Sequence, residues 1–79
     1  MDILLHRKVE FMGNLYFLVS SGTLTFDSIA NSSRFGGIQI TPCTNRPTGW
    51  LKDEEGFALL CGDPEGYEEL KVGSSYELT

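Results

Sequence analysis

Residues 53–69 contain no lysine, arginine or histidine. The whole chain has one histidine, His6, and two cysteines, Cys43 and Cys61, with no Cys-x-x-Cys spacing. That is too few soft ligands for a structural zinc site, so neither a metal nor another cofactor is expected. The apolar run at residues 15–19 is far short of the roughly 20 residues that cross a bilayer. The apolar patch at residues 3–5 ends at once in His6-Arg7-Lys8, which does not match a secretory leader. No membrane contact is therefore expected, and a cytoplasmic setting is. In that setting both cysteines are expected as free thiols, a disulfide being the alternative. Heptads, internal repeats and low-complexity tracts are absent, and with them coiled coils and solenoids.

What the chain does have is bulk, turns and acid. Its 79 residues make one domain, residues 1–79, with 41% hydrophobic residues including five Phe, three Tyr and one Trp. A chain of this size buries about 60% of the surface it exposes when unfolded, so its stability margin is narrow.

Short alternating segments separated by glycine-containing turns predict a mostly β fold. Residues 9–11 and 15–20 read as strands around a Gly13-Asn14 turn, and the continuous apolar run of the second suits a central position in a sheet. Thr23-Leu24-Thr25-Phe26 reads as a third strand, completing a meander over residues 3–26. Residues 27–33 break the pattern and accommodate one short helix capped by Asp27 or Ser28, or a structured loop. Ile38-Gln39-Ile40-Thr41 places two isoleucines on one face. Residues 50–52 and 57–61 flank an acidic turn, residues 62–66 form a second, and residues 68–72 and 76–78 make a last hairpin. The expected architecture is a small single-domain barrel or sandwich of six or seven short strands. Leu15, Phe17, Leu24, Phe26, Ile38, Ile40, Phe57, Leu59, Leu70 and Val72 are expected to point inward.

Charge is polarised along the chain. Residues 53–79 carry eight acids against Lys71, a balance of −7, and residues 1–52 carry three acids against five bases, +2, which together give the net −5. A field of one sign attracts partners of the other and speeds encounter. Asp53, Glu54, Glu55, Asp63, Glu65, Glu68 and Glu69 are the candidate binding residues, with Tyr67 as an apolar anchor among them. Solvated turn tips are the plain alternative for these carboxylates, because burying an unpaired charge is costly.

Catalysis has little support. Adjacent strand carboxylates would point to opposite faces, and nothing in the spacing brings His6 to a cysteine. Direct nucleic-acid binding is disfavoured because the basic residues are scattered. The expected function is non-catalytic: an acidic domain, monomer or homodimer, that engages a basic protein and blocks or tunes it. A nucleic-acid-handling protein is a natural target, since a carboxylate array fits a groove built for phosphates. Small viral inhibitors, anti-CRISPR proteins among them, use this physics, and the parallel is one of size and charge alone. The other class is a small assembly subunit associating through exposed strand edges such as residues 9–11 or 76–78.

Overall fold

Every residue of 57–61 is apolar, as is every residue of 15–19. Apolar runs of that length read as strands. In a computed structural model describing residues 1–40 and 55–79, they pair side by side. The described residues form six strands: β1 (Asp2–Phe11), β2 (Asn14–Ser20), β3 (Arg34–Phe35), β4 (Ile38–Gln39), β5 (Phe57–Gly62) and β6 (Ser75–Glu77). Among the described residues helix is limited to α1 (Phe26–Ala30) and a 3₁₀ helix (Pro64–Glu69). The fold is thus mostly β, as the alternation predicts.

The main sheet is antiparallel in the order β5-β2-β1-β6. The small β3–β4 hairpin reaches both of its edges. Phe35 bridges Leu78 on the β6 side, and Ile40 bridges Gly62 on the β5 side. Backbone bonds reinforce both joins: Thr79 N donates to Arg34 O (2.9 Å), and Asp63 N donates to Gln39 O (3.0 Å). The sheet is thereby curled around one core, in which Leu5, Phe17, Val19, Phe35, Ala58 and Leu60 are all essentially inaccessible to solvent. Gly62 makes this closure possible. A Cβ there would overlap the edge of the Phe17 ring, so only glycine lets the two meet.

The first hairpin turns at Met12-Gly13, one residue before the expected position. Both have positive φ, 49° and 79°, and Phe11 pairs with Asn14. Two left-handed residues match the twist of a tight hairpin, although methionine adopts that conformation reluctantly. Within β1 the register shifts between Leu5 and Arg7, a bulge at His6.

Several expectations are corrected. Residues 23–26 are not a strand. Leu24 N donates to Ser21 O in a turn, and Thr25 caps α1 by accepting a bond from Ser28 N (3.1 Å). Cap chemistry overrides β propensity here, moves the helix start one residue forward and leaves Phe26 52% exposed. The third position beside β2 is taken by β5. Within β5 the inward residues are Ala58 and Leu60, not Phe57 and Leu59, because Phe57 pairs with Ser20 and Leu59 with Leu18 on the other face. Residues 68–72 are not a strand either: Glu68 and Glu69 close the 3₁₀ helix, Leu70 is buried, and Val72 is 59% exposed. Leu15, Leu24, Ile38, Ile40 and Leu70 do point inward. The expected strand at residues 50–52 lies outside the described residues.

The expectation of free thiols is also corrected: Cys61 is disulfide-bonded. Cys43, the other cysteine of the chain, lies outside the described residues. Cys61 sits on the outer face of β5 opposite Tyr16. Among the described residues no helix is long and apolar enough to cross a membrane.

Candidate acidic face

Asp63 follows β5 directly and begins the 3₁₀ helix. Its Oδ1 accepts a hydrogen bond from Glu65 N at 3.0 Å, the usual role of an aspartate at a helix start, and Pro64 supplies the fixed φ of the first helical position. The short helix then presents Glu65, Glu68 and Glu69 to solvent. With three residues per turn, Glu65 and Glu68 fall on one line along the helix. Asp63, Glu65, Glu68 and Glu69 are therefore gathered on a single short element, all exposed. The sequence argument kept Glu68 and Glu69 on opposite faces of a strand; the helix removes that separation.

Tyr67 turns the other way. It is half-buried, packs against the core, and its ring centroid lies 6.3 Å from that of Phe17. Lys8 Nζ lies 4.6 Å from the Tyr67 centroid, within cation–π range. Tyr67 thus docks the acidic helix onto the β1–β2 hairpin. Its remaining exposed edge lines a shallow cleft with Glu10, Gly13, Leu15 and Pro64.

Glu55 does not join this group. It lies in the turn before β5, and β5 runs from Phe57 opposite Ser20 to Gly62 opposite Leu15. Those ends are separated by about 17 Å at the rise of an extended strand. Asp53 and Glu54 lie outside the described residues. The structure therefore brings four of the candidate acids together and sets Glu55 at the far end of the sheet.

Glu10 is the acid that sequence reasoning missed. It lies in the basic half of the chain, and only the pairing of Glu10 with Leu15 carries it to the cleft beside Tyr67.

At the Glu55 end, His6 Nε2 and Ser20 Oγ are hydrogen-bonded at 2.5 Å, and the imidazole leans on the Phe57 ring at 5.1 Å. The bulge at His6 brings the ring across the strand to Ser20. Among the described residues no group of three or more His, Cys, Asp or Glu side chains is placed to hold a metal ion. No family model, no curated protein and no solved structure matches this chain.

Proposed function

We propose that this protein is a non-catalytic binding domain whose acidic helix docks a basic protein and blocks or tunes it. One observation carries the reading: Asp63, Glu65, Glu68 and Glu69 are exposed together on one element that is anchored to the core through Tyr67 and Leu70. Rigid anchoring keeps the charges in place before binding, so little ordering entropy is lost on association. A partner that normally grips phosphates has the matching positive surface. Blocking such a nucleic-acid-handling protein by mimicry is the form of the proposal that the charge favours, and direct binding of nucleic acid is not part of it.

The test is affinity capture from the source cell, followed by binding of the captured protein at increasing salt. Affinity that falls steeply with ionic strength supports the reading; affinity indifferent to salt between low and physiological ionic strength contradicts it. A cytoplasmic setting was the sequence expectation, yet a disulfide at Cys61 favours an oxidising compartment. The thiol state of protein taken directly from the cell decides between the two.

A second reading, association through strand edges, is favoured by one observation. β6 pairs with β1 only over Asp2, Ile3 and Leu4, and the rest of this ten-residue strand extends past it.

A further inference from the structure

We infer that the cleft between Glu10 and Tyr67 is an arginine pocket, which takes one arginine side chain of the basic partner. The inference rests on the acidic-helix reading above and names the chemical group that the site reads. Two elements build the cleft. On the 3₁₀ helix three residues make one turn, so Pro64 and Tyr67 fall on one line, beside the line of Glu65 and Glu68. On the hairpin, Glu10 of β1 pairs with Leu15 of β2, and Gly13 lies in the turn that joins the two strands. These five residues line a cleft of about 170 Å³.

The cleft is accessible. Glu10, Gly13 and Pro64 are exposed in the folded chain and Tyr67 is half-buried, while Leu15 lies at the bottom. Its size decides what it can hold. Small-molecule sites begin at roughly 300 Å³. A cleft smaller than that suits one long side chain rather than a cofactor.

The lining selects that side chain. Leu15, Pro64 and Tyr67 are apolar surface, and Glu10 is the one charge among the five residues. An occupant therefore needs an apolar stem and a cationic tip. Lys8 shares a face of β1 with Glu10, yet its Nζ lies on the Tyr67 ring at 4.6 Å, and no ion pair joins Glu10 to a described cation. Asp63, Glu65, Glu68 and Glu69 stand exposed on the helix that forms one wall, so the field there draws a cation even with Lys8 beside Tyr67. Of the two candidate side chains arginine fits better. Its guanidinium is planar and weakly hydrated, packs flat on aromatic surface and pairs with a carboxylate through two parallel hydrogen bonds. A lysine ammonium is a strongly hydrated point charge and gains less from an apolar floor.

The experiment titrates the full chain with a short peptide of alternating glycine and arginine, and with a glycine–lysine peptide of equal length and charge, while backbone amide shifts are followed. The arginine peptide is expected to move Glu10, Gly13, Leu15 and Tyr67 saturably and to bind about threefold more tightly than the lysine peptide. Glu10→Gln should weaken the arginine peptide about three- to fivefold, the scale of one partly exposed ion pair. Its melting temperature should not change, because the exposed carboxylate holds no described bond.

Glu55→Gln is the control. It changes net charge equally, from −5 to −4, but lies at the far end of β5, beyond a Debye length at physiological salt, and should alter affinity less than about twofold. Equal losses from the two variants, with shifts confined to Glu65, Glu68 and Glu69, would overturn the pocket and leave the acidic helix standing. Equal binding of the two peptides would overturn the choice of arginine. Shifts absent from cleft and helix alike would overturn both the pocket and the acidic-helix reading.

Discussion

Phe17 and Phe57 are the same residue type on neighbouring strands, and the fold treats them oppositely. Phe17 is fully buried against Phe35, 5.5 Å between ring centroids, whereas Phe57 is 36% exposed and leans on His6. Phe17→Ala should cost about 3–5 kcal/mol, enough to exhaust the margin of a domain this small. Phe57→Ala should cost less than half as much in the same urea titration, and equal losses would show that the assigned register of β5 is wrong. At Cys61 the expected result is chemical. Protein purified without reductant and then denatured should show no reactive thiol at position 61 until it is reduced. The sequence argument for reduced cysteines came from the apparent compartment, and nothing in the residues around Cys61 signals its bond.

Among the elements, those with a strong local signal were legible and those without were not. β2 was readable as a central strand because its run is apolar throughout, and α1 because residues 27–33 break the alternation. The register of β5 was not readable, since Phe57, Ala58, Leu59, Leu60 and Cys61 are all apolar and a period of two cannot choose a face. The 3₁₀ helix was missed because Leu70 and Val72 mimic strand alternation, while the start signal, Asp63 followed by Pro64, passes equally for a turn. The Met12-Gly13 turn carries its own prediction. Met12→Asn places a residue tolerant of positive φ where the hairpin needs one and should stabilise the protein by about 0.5–1 kcal/mol. A lower melting temperature would mean that Met12 contributes contacts outweighing its backbone strain.

At the scale of the whole molecule, the charge asymmetry visible in the sequence becomes a positional one. Four of the acids that were candidates from charge alone share the helix after β5, and Glu55 lies at the opposite end with Glu77, whose strand pairs it to Asp2. The grouping was only partly legible, because it depends on a helix where a strand was expected. It nevertheless offers a control matched in charge. Glu68→Lys with Glu69→Lys shifts net charge by +4, from −5 to −1, and so does Glu55→Lys with Glu77→Lys. All four residues are exposed, so neither pair should disturb the fold by more than about 1 kcal/mol.

The most direct measurement is the dissociation rate of the captured basic partner from these two double variants at one ionic strength. Contact through the acidic helix predicts much faster dissociation for Glu68→Lys/Glu69→Lys and a modest change for Glu55→Lys/Glu77→Lys, because close charge pairs govern dissociation while distant ones act mainly on encounter. Equal effects of the two pairs, or a larger effect of the Glu55 and Glu77 reversals, would contradict the assignment of binding to the acidic helix.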